Sequence, residues 1–352
     1  MLTGILCLVL CSQVAGETRY TVTDLGTFPD GGSSWAYGVN NSGQVVGHAA
    51  TASGDGHAFL YQSGMMTDLG TLGGPRSGAW AINGTGQIVG YSYTASDSNA
   101  SACLYENGMV SDLDPSRDDL STAYAINSSG QIVGHYRTGN AYQACLFSGE
   151  TTVGLGTLGG TRSYAYGIND SGQICGWSYT ATGWSRAFVY EGGVMNELGT
   201  LGGPESVARG INNAGQVVGC ARVASGWSHA FLYSDGAMTD LGTLGGDASY
   251  AQGINNSGQV VGYYVQHSGG NRAFLYEDGV TIDLTSLINP ASDWILVQAL
   301  AISDNGYIVG YGLNPSNKTR AFLLTPIPEP VTLLLLGIGL PFLVRRRMRG
   351  CA

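Results

Sequence analysis

A ten-residue segment returns seven times along this chain at nearly constant spacing, and such a chain has to fold as stacked copies of one small unit. The copies read GINNSGQVVG at 253–262, GINNAGQVVG at 210–219, GINDSGQICG at 167–176 and AINSSGQIVG at 125–134. Two earlier copies run AINGTGQIVG from Ala81 and GVNNSGQVVG from Gly38, and a divergent one reads AISDNGYIVG from Ala301. The internal glycine falls at 43, 86, 130, 172, 215, 258 and 306, a period of 42 to 44 residues with one interval of 48. Periods of this length belong to arrays of supersecondary units that share a core and are not stable singly.

Turn chemistry divides each period into four short strands. In the sixth copy, 251–255 and 259–264 flank Asn-Asn-Ser-Gly, where Asn and Ser favour the turn and Gly takes the positive φ that closes a bulged hairpin. The third strand, 272–276, and the fourth, 280–284, are joined by Asp278-Gly279, and Asn107-Gly108 and Asp235-Gly236 do the same elsewhere. Each unit crosses to the next through Leu-Gly-Thr-Leu-Gly-Gly, intact at 69–74, 155–160, 198–203 and 241–246. Four antiparallel strands in this length match a propeller blade of ~40–45 residues.

The ends select a closed ring over an open solenoid. The seventh unit stops after its third strand, 320–325, and lacks the Met-x-Asp-Leu-Gly strand of the others; the missing piece, YTVTDLG, sits at 20–26. A strand from the N-terminal end completing the last blade leaves no open edge there. The expected fold is all-β, a seven-bladed β-propeller of four-stranded antiparallel blades over about 18–325. Its first strands repeat Ala-x-[Gly/Ala], as at Ala165 and Gly167 or Ala251 and Gly253, small residues suited to blades converging on an axis. The 56 glycines, 20 tyrosines and 11% charged residues suit turn-dense β-structure. A net charge of −10, with four Arg and one Glu in the tail from 326, leaves the repeats more acidic still, so nucleic acid is not an expected partner.

Both ends carry addresses. Residues 1–16 read as an export signal: an apolar run at 2–10, then Val14-Ala15-Gly16 as a cleavage site before Glu17. At the other end, Pro328-Glu329-Pro330 precedes an apolar run, 331–344, and the cluster Arg345, Arg346, Arg347 and Arg349. This tail, 326–352, resembles the PEP-CTERM sorting signal of exported bacterial proteins processed by an exosortase. The repeats of 17–325 resemble the HAF family of extracellular repeats, whose name is spelled at His57-Ala58-Phe59 and His229-Ala230-Phe231, with Arg-Ala-Phe at 186, 272 and 320. The two resemblances imply export, transient membrane anchoring, tail cleavage by an exosortase and association with an exopolysaccharide-rich surface, and neither implies a reaction or a cofactor. Fourteen residues at ~1.5 Å each span ~21 Å, short of the ~30 Å hydrocarbon core, so the tail suits a transient anchor better than a permanent transmembrane helix. Its basic residues would stay on the cytoplasmic side.

Candidate sites each stand beside a structural alternative. Cys103 and Cys145 replace the third-strand Phe and Cys175 a core Val, so small buried hydrophobes are expected, while an oxidising compartment leaves pairing open for these and Cys220. The acid ending the fourth strand recurs as Asp24, Asp68, Asp112, Glu197, Asp240 and Asp283: a cation-binding ring, or carboxylates accepting N–H groups of the crossover. Asp112, Asp114, Asp118 and Asp119 form an acidic stretch that is a weak metal candidate without calcium-loop spacing, or else a solvated loop. Asn-x-Ser/Thr at Asn40, Asn83, Asn127, Asn169 and Asn255 always falls in the same hairpin, where turn formation accounts for it.

The strongest functional pattern lies between the second and third strands of units four and five, ATGWSRAF and ASGWSHAF, which place Trp184 and Trp227 at matching loop tips of neighbouring blades. These loops share a face with the crossovers, expected to bring Arg162, Tyr164, Glu205 and Arg209 toward the channel mouth. A Trp face stacks on a sugar ring while Arg186, His229 and Arg162 supply donors; alternatively each Trp covers its own loop. His48 and His135 share one repeat position, and His57 and His229 another, which points to architecture. No metalloprotease, serine-nucleophile or Cys-x-x-Cys motif is present. The expected role is a non-catalytic exported surface module, binding exopolysaccharide or another glycan. The alternatives are a structural coat component and a glycan-active propeller enzyme.

Overall fold

The protein is described as a computed structural model over residues 19–328, except 97, 98, 117, 118 and 150. Seven four-stranded antiparallel sheets form a closed ring, a seven-bladed β-propeller. Blade 1 runs Ser34–Val39, Val45–Ala50, Gly56–Gln62 and Met65–Asp68, and blades 2 to 6 repeat the order. Blade 7 takes Ile295–Ile302, Ile308–Leu313 and Thr319–Pro326 from the C-terminal side, and its outer strand is Tyr20–Asp24. That strand pairs antiparallel with the third, from Tyr20 opposite Pro326 to Asp24 opposite Phe322. Backbone bonds from Arg19 to Leu287 (2.8 Å) and from Ile327 to Arg19 (2.9 Å) extend the seam, and the Arg19 guanidinium pairs with Glu277 of blade 6.

The core lies between blades. Phe59, Phe188, Phe231, Phe274 and Phe322, one per third strand, are fully enclosed, and Cys103 and Cys145 take the place in blades 2 and 3. Cys103, Cys145, Cys175 and Cys220 are not paired with one another in disulfides, and the first three are buried. Burial pushes the Cys103 and Cys175 thiols up to about 12, so they pack as hydrophobes.

Two side-chain rings stitch neighbours together. The first strand of blades 1 to 6 carries a serine whose Oγ accepts the N–H of the alanine in the preceding blade's third strand: Ser77 from Ala58 (2.9 Å), Ser163 from Ala144 (2.9 Å), and Ser34 from Ala321 (2.9 Å) across the closure. The same hydroxyl donates to a crossover glycine carbonyl, as Ser77 does to Gly70 (2.8 Å). On the opposite face, the repeated hairpin Asn is buried and does two things at once. Asn127 Oδ1 accepts the Gln131 N–H (2.9 Å), and its Nδ2 donates to the Asn169 carbonyl of the next blade (3.1 Å). The relay runs from Asn40 through Asn83, Asn127, Asn169 and Asn212 to Asn255 and Ser303. It accounts for the Asn-x-Ser/Thr pattern, since these amides are committed inside the ring.

The glycine closing the ten-residue segment is demanded by close approach. A Cβ at Gly134 would lie 1.9 Å from the Thr122 carbonyl oxygen, where the first strand carries a register shift between Ala123 and Ala125. The 48-residue interval holds two 3-10 turns, Leu284–Leu287 and Pro290–Ser292, whose Leu284 and Leu287 pack into the core beside Tyr20 of the closing strand.

Candidate functional site

First strands form the inner wall of the ring, and their small residues sit where the blades converge, as expected from the sequence. The alanine of Ala-x-[Gly/Ala] is fully buried in every blade, and a Cβ at Gly38 would lie 3.0 Å from the Trp80 carbonyl oxygen of the next blade. The residue between them faces the channel. Around blades 1 to 4 it is Tyr37, Trp80, Tyr124 and Tyr166; blades 5 to 7 place Arg209, Gln252 and Leu300 there. Ring centroids lie 4.3 Å apart for Tyr37 and Trp80, 5.8 Å for Trp80 and Tyr124, and 4.9 Å for Tyr124 and Tyr166, a continuous aromatic arc. The Arg209 guanidinium closes it, 4.5 Å from the Tyr166 ring centre.

A second tier backs the arc. His48 stacks on Tyr37 at 5.5 Å, His135 on Tyr124 at 5.5 Å, and Trp177 on Tyr164 at 4.8 Å. Burial pushes His48 and His135 down to about 4, so both are neutral at physiological pH. Burial, with lesser help from neighbouring tyrosines, pushes Tyr164 up to about 12 and raises Tyr37 and Tyr124, which keeps these phenols as protonated donors.

The residues singled out in the sequence fall into two groups. Arg162, Tyr164 and Arg209 belong to the channel: Tyr164 is stacked against Trp177 and Tyr142, and Arg162 lies 5.7 Å over the Tyr142 ring. Glu205 is paired with Arg222 at 2.6 Å. Trp184 and Trp227 belong to the rim. Their loops close with the same bonds, Thr180 N–H to the Trp184 carbonyl and Val223 N–H to the Trp227 carbonyl, both 2.9 Å. The indoles are 44% and 55% exposed. Neither makes a ring contact or side-chain hydrogen bond among the described residues. Arg186 donates to Glu197 (2.7 Å), and His229 Nδ1 meets Asp240 (2.7 Å), leaving its Nε2 the nitrogen not engaged by Asp240. No hydrogen bond, ion pair or ring contact joins the rim group to the channel group among the described residues.

The repeated fourth-strand acids do structural work. Asp24, Asp68, Asp240 and Asp283 each accept the N–H two residues on (2.8–2.9 Å), as Asp112 does from Asp114, while Glu197 is held by Arg186. Asp114 is buried and accepts from Ser116 (2.7 Å) and Thr152. Asp119 is exposed, Asp118 lies outside the described residues, and no three His, Cys, Asp or Glu among the described residues are placed to hold a metal. Of the sorting signal, Pro328 is described and exposed; Glu329, Pro330, Arg345, Arg346 and Arg347 lie outside, as does the export signal. No described helix is long and apolar enough to cross a membrane.

The sequence reading missed the aromatic arc, although its signal was there: the position between the two small residues of the first strand reads Tyr, Trp, Tyr, Tyr in blades 1 to 4. The fold and these two sites define a propeller with an aromatic channel and a tryptophan-bearing rim. No family model matches the chain, and no curated protein matches it. Among solved structures it is similar to TolB from Acinetobacter baumannii, 12% identical with a TM-score of 0.45 over 78% of this chain and 76% of that one. It is similar also to a gluconolactonase from Xanthomonas campestris, 10% identical with a TM-score of 0.42 over 88% and 92%. A third, AofleA from Arthrobotrys oligospora, is 11% identical with a TM-score of 0.42 over 75% and 88%.

Proposed function

We propose that this protein is an exported, exosortase-processed surface or matrix protein whose propeller binds glycan without chemically altering it. The observation that carries the reading is the pair of half-exposed indoles, Trp184 and Trp227, on loops of identical hydrogen bonding in adjacent blades. An exposed indole without an aromatic partner offers a flat apolar face to a sugar ring, and the Arg186–Glu197 and His229–Asp240 pairs beside the two loops offer polar groups to its hydroxyls. The acidic net charge of −10 favours a neutral or cation-bridged glycan over a dense polyanion. Export and tail processing rest on the resemblances at the two ends of the sequence.

Replacing Trp184 and Trp227 by Ala is expected to abolish retention on the producing organism's exopolysaccharide, a loss of ~1 kcal/mol or more per platform, while the melting temperature barely moves. Unchanged retention, or collapse of the fold, would return both indoles to a purely structural role. For the tail, Glu329→Ala in a host with the matching exosortase is expected to leave uncleaved precursor in the membrane. Intact-mass analysis of the wild-type surface form is the check, and a mature species retaining Arg345–347 would refute the sorting proposal.

A further inference from the structure

The channel is lopsided in a way that ring closure does not require. Aromatic rings fill the axial position in blades 1 to 4, and the next blade presents a cation. Arg209 is exposed and, among the described residues, makes no hydrogen bond or ion pair; its guanidinium lies over the Tyr166 ring. Arg162 is likewise exposed, its guanidinium lying over the Tyr142 ring. Between these cations runs a strip of stacked rings, with Tyr142 5.7 Å from Tyr164 and Tyr164 6.2 Å from Tyr166. Among the described residues, Arg76, Arg186 and Arg222 each have an acidic partner, and Arg137, Arg272 and Arg320 donate to backbone carbonyls. Arg162 and Arg209 stand apart from both groups, stationed on tyrosine rings instead.

Behind the strip, His135 is only 4% exposed and packs against Tyr124, Tyr142 and Tyr164, holding the rings from the rear. Stacked tyrosines suit a ring with an apolar face, their protonated hydroxyls suit a ligand rich in hydroxyls, and a planar guanidinium suits a carboxylate. We infer that the channel face of blades 3 to 5 is a binding site for a carboxylated saccharide, its ring stacked on the tyrosine strip and its carboxylate held by Arg209, with Arg162 at the far end. The site rests on the reading of the protein as a glycan-binding module, but it is separate from the rim tryptophans and takes a ligand of different charge. The overall acidity opposes long polyanions, so the site is matched to short oligosaccharides whose carboxylate reaches Arg209.

The test is calorimetric titration of the full chain, at low ionic strength, with tetragalacturonate, tetramannuronate and tetraglucuronate, and with maltotetraose as the uncharged control. At least one uronate is expected to bind more tightly than maltotetraose. Arg209→Gln should weaken it by about tenfold or more, with Arg209→Lys intermediate because the charge stays and the planar fork is lost. The melting temperature of both variants should stay close to the parent's, since Arg209 is exposed, has no ion pair to lose and gives up at most one exposed contact with the Tyr166 ring. The Trp184→Ala, Trp227→Ala double variant should bind the uronate normally, so loss of rim binding and loss of channel binding are told apart. Failure of all three uronates to bind, equal affinity in Arg209→Gln, equal affinity for maltotetraose, or loss of uronate binding in the tryptophan variant would each overturn the inference.

Discussion

Asn127 shows how much one repeated side chain does here. Its carbonyl oxygen holds its own hairpin and its amide holds the next blade, both from a nearly solvent-free position. Asn127→Ala removes both bonds, taking the acceptor from the Gln131 N–H and leaving the Asn169 carbonyl with only the Gly172 N–H (3.0 Å), so a loss of about 2 kcal/mol is expected in chemical denaturation. A loss below about 0.5 kcal/mol, the range of ordinary surface changes, would contradict the relay. His48 and His135 set a pH dependence. Folded, burial holds both near 4; unfolded, each takes up its proton near the ordinary value of 6.5. Between those values the unfolded chain binds more protons, so stability is full above about 6.5 and falls as pH drops toward 4, by on the order of 3 kcal/mol per histidine. Tyr stands at the same repeat position as Tyr91, Tyr263 and Tyr311, so the double variant His48→Tyr, His135→Tyr should fold and flatten that slope. An unchanged melting-temperature profile between pH 7 and pH 4.5 would show that other groups control it.

At the scale of elements, the hairpin and the closing strand carry the fold. Gly134→Ala would drive a Cβ into the Thr122 carbonyl, and overpacking a strand pair so closely is expected to cost about 2 kcal/mol or more. The outer strand of blade 7, Tyr20–Asp24, covers Phe322 and Leu324 and ends at the Asp24 carboxylate, which accepts the Gly26 N–H. Deleting 18–26 is expected to open an edge and expose apolar faces of blades 1 and 7, lowering the melting temperature of the whole ring and promoting association. A deletion variant that melts like the parent and stays monomeric would speak against closure. This closure was legible in the sequence because a strand with a fixed signature, Asp-Leu-Gly, was missing from one end and present at the other. The serine ring was not, since a serine in a strand is common and gains its meaning only when the alanine N–H of the preceding blade comes to 2.9 Å.

For the whole molecule, periodicity fixed blade number and order, and the turn residues fixed most strand limits. The two candidate sites were legible to different degrees. Trp184 and Trp227 stood out because they interrupt small, polar loops. The channel arc did not, because its tyrosines and Trp80 resemble ordinary core positions of a half-buried strand until neighbouring blades bring them within 4.3–5.8 Å. Likewise Arg186 and His229 read as free donors in sequence, while the fourth strand supplies each with an acid. The central claim is that this ring of blades holds glycan and leaves it intact. The most direct measurement incubates the protein with a polysaccharide panel that includes the producing organism's own exopolysaccharide, scoring retention and released products in the same reaction. Retention on at least that exopolysaccharide with no soluble product is the expected result; release of shortened or unsaturated products, or no retention on any member of the panel, would contradict it.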